Sequence, residues 1–84
     1  MAQDRQIDVV IRSRLTGDGT EFIVLCGASS RVLGGPFRGM REAVGFAVAE
    51  ASKARARVLY EAYDDRGRAI GERLVLRTAA PPPR

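Results

Sequence analysis

The sequence predicts a two-layer α+β domain, with an antiparallel sheet of four to five strands and one amphipathic helix packed on one face. Three observations carry the prediction. Apolar and polar residues alternate over residues 7–15 (IDVVIRSRL), as in a half-buried strand. One stretch, residues 40–55 (MREAVGFAVAEASKAR), changes to helical spacing. Turn sequences centred on Asp and Gly join strand-like segments on both sides of that helix.

The first strand places Ile7, Val9, Ile11, Ser13 and Leu15 on one side and Asp8, Val10, Arg12 and Arg14 on the other. Residues 16–20 (TGDGT) supply an Asp-Gly reversal, so residues 21–27 (EFIVLCG) return antiparallel. Ala28-Ser29-Ser30 is turn-like, and residues 31–33 make a short third strand that ends at Gly34-Gly35-Pro36. In the helix, Met40, Ala43, Val44, Ala47, Val48, Ala51 and Ala54 form the inward stripe, with Phe46 at its flank. Gly39 is the expected N-cap, Glu42 suits the positive amino end, and Lys53 and Arg55 suit the carboxyl end. Residues 57–63 (RVLYEAY) read as a strand, residues 64–67 (DDRG) as a turn, and residues 68–77 (RAIGERLVLR) as the returning strand, with Gly71 marking a bulge. All 84 residues make one domain, with an ordered core over residues 7–77 and a loose Pro-rich tail at 78–84.

The strands are apolar on both sides. If Val9 and Ile11 face the helix, Val10 faces away, and one of two apolar sets in each later strand must do the same. A sheet open to water on one face shows a cleaner polar alternation. The expectation is a homodimer, through the sheet or a strand edge, with Val10, Ile23, Leu25, Leu59, Tyr63 and Val75 as interface candidates.

Composition excludes more than it assigns. The chain has no His, Asn or Trp and a single cysteine, Cys26, which removes imidazole catalysis, the common nucleophile triads and His- or Cys-based metal sites. No catalytic, metal or cofactor residue is predicted. Asp64 and Asp65 are adjacent, so their side chains diverge and suit a turn better than a carboxylate pair. Gly34-Gly35-Pro36-Phe37-Arg38-Gly39 lacks the Lys and spacing of a phosphate loop, and Pro36 removes an amide that such a cradle would use. The stretch reads as a tight strand-to-helix step, with Phe37 closing one end of the core. Cys26 lies in an apolar run, as an inert buried thiol would. A polar start, no long apolar run and one cysteine make the cytoplasm the expected compartment, with no membrane contact.

There are 14 basic residues against 10 acidic ones, a formal net charge of +4, and Lys53 is the one lysine. Such a bias to arginine, with abundant Ala and Gly, fits GC-rich coding. Arg12 and Arg14 share one side of the first strand, and Arg73 and Arg77 one side of the last. Together they define an alternative, a nucleic-acid-binding sheet face. Asp8, Glu21, Glu61 and Glu72 lie in the same strands and are available to pair with them. A protein-interaction module with no catalysis of its own is therefore the leading expectation. A further protein partner is also open to it.

The order of motifs is an opening hairpin, a Gly35-Pro36-Phe37 step, a helix opening with Glu42-Ala43 and continuing in alanines at 47 and 51, and a hairpin around Asp64 to Gly67. It resembles a class of small bacterial domains of unknown function. Such domains often carry Trp in the second strand where this chain has Phe22. The resemblance implies the fold and no activity, cofactor or catalytic residue.

Overall fold

A chain that alternates apolar and polar residues and then meets a Gly-rich reversal folds back on itself, and the first two strands do so. In the computed structural model, which describes residues 8–78, β1 (Asp8–Thr16) and β2 (Gly19–Cys26) pair antiparallel from Val9 opposite Cys26 to Thr16 opposite Gly19. The positive φ of the reversal, +125°, falls on Gly19. Ile7 and the tail beyond Thr78, both assigned from sequence, lie outside the described residues.

β3 (Val32–Phe37) adds to β2, α1 (Met40–Ala54) crosses the sheet, and β4 (Arg57–Tyr63) and β5 (Ala69–Arg77) close it as a second hairpin. The five strands lie in the order β3-β2-β1-β4-β5. The sheet has the expected five strands and is mostly antiparallel, with one parallel pair: β4 runs parallel to β1, Asp8 opposite Arg57 through Arg14 opposite Tyr63. Chain direction requires it. β3 runs with β1, α1 carries the chain back to the end where β1 begins, and β4 starts there beside it.

β3 corrects the sequence, since it continues through Gly34-Gly35-Pro36 to Phe37 instead of ending before them. It is an edge strand, so the missing amide of Pro36 need not cost a ladder bond. Gly35 has φ +103° and lies so close to β2 that a Cβ there would sit 2.8 Å from the Phe22 carbonyl oxygen. Only glycine meets both conditions at once.

Gly39 caps α1 in an extended conformation, and Arg55 ends it in the left-handed region. Ala43, Ala47 and Ala51 are buried, which brings the helix axis close to the sheet. They pack on Val9, Ile11, Val24 and Val58, and Phe22, Phe37, Phe46 and Tyr60 close the margin. The Phe37 and Phe46 rings meet at 5.4 Å. Ala54, placed on the inward stripe by spacing, is exposed because it ends the helix beside Arg55. The buried hydroxyl of Ser13 meets the Tyr60 hydroxyl at 2.8 Å, so the one polar residue on the inward side of the β1 core is satisfied.

Candidate functional site

Strand alternation sends a second set of side chains to the face away from α1, and pairing registers align them in rows. Val32, Leu25, Val10, Leu59 and Val75 oppose one another in turn across all five strands. This row is apolar from edge to edge. The rows beside it are charged. On one side Arg57 donates to both Asp8 carboxylate oxygens, at 2.8 and 3.1 Å, which raises the guanidinium pKa above its ordinary value. On the other, Arg12 donates twice to Glu61 Oε1 at 3.2 Å, and Arg73 donates to Glu61 Oε2. Tyr63 also donates to Glu61, at 3.3 Å, and the Arg12 guanidinium lies 4.7 Å from the centre of the Tyr63 ring. One row further, Arg14 pairs with Glu21 at 2.8 Å.

All six interface candidates lie on, or in register with, this face, but they are not equally available. Val10, Leu25 and Leu59 are 2%, 4% and 1% exposed within the protomer itself, so they offer a partner almost no surface. Ile23 and Tyr63 are half-buried, and Val75 is open. The four arginines of the alternative divide as well. Arg12, Arg14 and Arg73 are ion-paired on the open face. Arg77 is not with them. A register shift between Val58 and Leu59 sets Arg77 opposite Val58, on the helix side, where it donates to the Ser52 hydroxyl at 3.2 Å. The expected carboxylate pairing is present for Glu61, Glu21 and Asp8.

The sequence did not single out β5 as the open element of the structure. Every residue from Ala69 to Arg77 is exposed, and the strand forms one edge of the sheet. Ile70, Leu74, Val75 and Leu76 are each 43–54% exposed. Leu74 lies opposite Tyr60 and Ile70 opposite Ala62 on the helix side, whereas Val75 lies opposite Leu59 on the other. A helix about 10 Å across cannot cover a five-stranded sheet about 19 Å wide. α1 packs over β1 to β4. The signal was readable in Leu74-Val75-Leu76, an apolar run with no polar alternation in the last strand.

Gly71, with φ +71°, forms the expected bulge: Tyr60 opposes Leu74 but Ala62 opposes Ile70. The Asp64 turn is also as expected, with its carboxylate accepting from the Arg66 and Arg68 amides at 2.9 and 2.8 Å. Two shallow clefts, of about 250 and 240 Å³, flank the β1–β2 turn and the Gly71 bulge. Among the described residues, no three of Asp, Glu and Cys converge as a metal site would need. Cys26 is partly exposed, and a hydrogen bond from the Ser29 hydroxyl, with further backbone bonds from Ser29 and Ala28, lowers its thiol pKa. No helix among the described residues is long and apolar enough to cross a membrane.

Compared with models of known families, with curated proteins and with solved structures, the chain matches none. The resemblance to small bacterial domains therefore rests on its motifs alone.

Proposed function

We propose that this chain is a small non-catalytic interaction module, acting in the cytoplasm, which self-associates through the open edge of β5. One observation carries the reading: four large aliphatic side chains stand exposed, on both sides of an edge strand, in a domain too small to cover them. The face of the sheet is a poorer candidate. Docking there would desolvate the Arg12–Glu61–Arg73, Arg14–Glu21 and Arg57–Asp8 groups, at a cost of several kcal/mol per ion, for a row whose centre is already buried. The other edge is also poorer, since Gly35 and Pro36 interrupt β3.

Light scattering at micromolar concentration tests the proposal, with twice the 9.1 kDa chain mass as the expected result. A particle of single-chain mass at two salt concentrations overturns it. Adding a short duplex to the same experiment separates the nucleic-acid reading, since salt-sensitive binding by a monomer supports that one instead.

A further inference from the structure

We propose that the end of the molecule where β1 and β4 begin and α1 finishes is a contact surface for the phosphate backbone of a nucleic-acid duplex, met by Arg31, Arg55 and Arg77. The proposal goes beyond self-association and does not depend on it. The fold sorts the charges by place. Residues 14–21, 38–42 and 63–68, at the end where β1 finishes and α1 begins, hold five basic and five acidic residues. Between the ends, Arg12 and Arg73 offset Glu61 and Glu72. The remaining end differs: Arg31, Lys53, Arg55, Arg57 and Arg77 stand there against only Asp8 and Glu50, so the whole excess of the described residues, three positive charges, collects in one place. Backbone and side-chain contacts bring these residues together. Asp8 opposes Arg57, while Arg77 opposes Val58 and reaches Ser52 of α1. Cys26, opposite Val9, donates its amide to the Arg31 carbonyl at 2.8 Å.

Ion pairing decides which of the five basic groups are free. Arg57 is held by Asp8 at 2.8 Å, and Lys53 by Glu50 at 3.1 Å. Arg31, Arg55 and Arg77 are exposed and make no ion pair among the described residues. The carboxyl end of α1 returns about half a negative charge, too little to cancel three. The surface runs across the ends of β2, β1, β4 and β5, a width of about 14 Å, over which one strand of a duplex presents about four phosphates. Guanidinium forks suit phosphate oxygens. The aromatic residues favour a duplex over a single strand. Phe22, Phe37, Phe46 and Tyr60 pack at the margin of the helix-side core and Tyr63 lies against Arg12, so none is left at this end to stack on bases.

The test is fluorescence anisotropy with a short labelled DNA duplex, read across a salt series. Three phosphate contacts predict binding about fortyfold weaker at about 200 mM salt than at about 50 mM. Replacing the three residues together, Arg31→Gln, Arg55→Gln and Arg77→Gln, is expected to weaken binding at the lower salt at least about tenfold and to remove most of the salt dependence. Arg38→Gln, Arg41→Gln and Arg68→Gln make the same change in net charge at the opposite end and are expected to change affinity by less than about threefold. Native circular dichroism in both variants confirms that folding is intact. Equal weakening by the two variants overturns the proposal, since net charge and not place would then govern binding. Binding to phosphatidylserine vesicles but not to the duplex overturns it as well. Light scattering on the same samples keeps the two readings apart: duplex binding by a single-chain particle overturns self-association and leaves this surface standing, whereas a dimer that binds no duplex at the lower salt does the reverse.

Discussion

At the scale of single residues, Glu61 carries the largest electrostatic role. Its side chain is only 8% exposed, yet it accepts from Arg12, Arg73 and Tyr63 together. Removing it in Glu61→Ala strands two guanidinium groups beside the Leu59 row. Because the Arg12 and Arg73 side chains keep 36% and 55% of their exposure, water compensates in part. The expected loss is about 1–3 kcal/mol in a urea titration, below the cost of breaking a fully buried pair. A change under about 0.5 kcal/mol would show that solvent already carries the two arginines. Cys26 gives a second residue-level expectation. The Ser29 hydroxyl stabilises the thiolate, so alkylation reaches half its maximal rate at a lower pH than for an ordinary thiol, and Ser29→Ala moves that midpoint upward. An unmoved midpoint would mean that the bond does not persist in solution.

Among the elements, β3 shows what sequence patterning misses. Gly34-Gly35-Pro36 reads as a break because each residue is poor in a strand interior. At an edge, the same residues let β3 approach the helix: a Cβ at Gly34 would lie 2.6 Å from the Phe46 ring. Gly34→Ala is therefore expected to destabilise by about 1–3 kcal/mol, and Phe46→Leu in the same chain to recover part of that loss. Strictly additive effects in the double mutant would place the strain elsewhere. The parallel β1–β4 pair was equally hidden, since strand sequences carry no direction and only the three-strand, one-helix path decides it. By contrast, the two hairpins, the alanine stripe and the Asp64 turn were legible, because each is a local pattern whose chemistry acts within a few residues.

For the whole molecule, sequence alternation placed the interface candidates on one face of the sheet but did not rank them by exposure. Val10, Leu25, Leu59 and Val75 have the same pattern in sequence, but central strands bury three of them and the edge exposes the fourth. Burial depends on a strand's place in the sheet, and that place follows from the crossover path. If exposed β5 is the docking element, then folding and association are linked, and stability must depend on chain concentration. For a dimer unfolding to two chains, a hundredfold rise in concentration adds about 2.7 kcal/mol to the free energy of unfolding per dimer. The urea midpoint is therefore expected to climb between micromolar and hundred-micromolar protein. Leu74→Lys places a charge on the exposed β5 edge without touching the packed core, because Leu74 is 54% exposed within the protomer. It should abolish the concentration dependence while leaving a folded chain with native circular dichroism. A midpoint independent of concentration in the unsubstituted protein would make β5 an edge that simply tolerates water. One that still climbs in the Leu74→Lys chain would move the interface to another part of the surface.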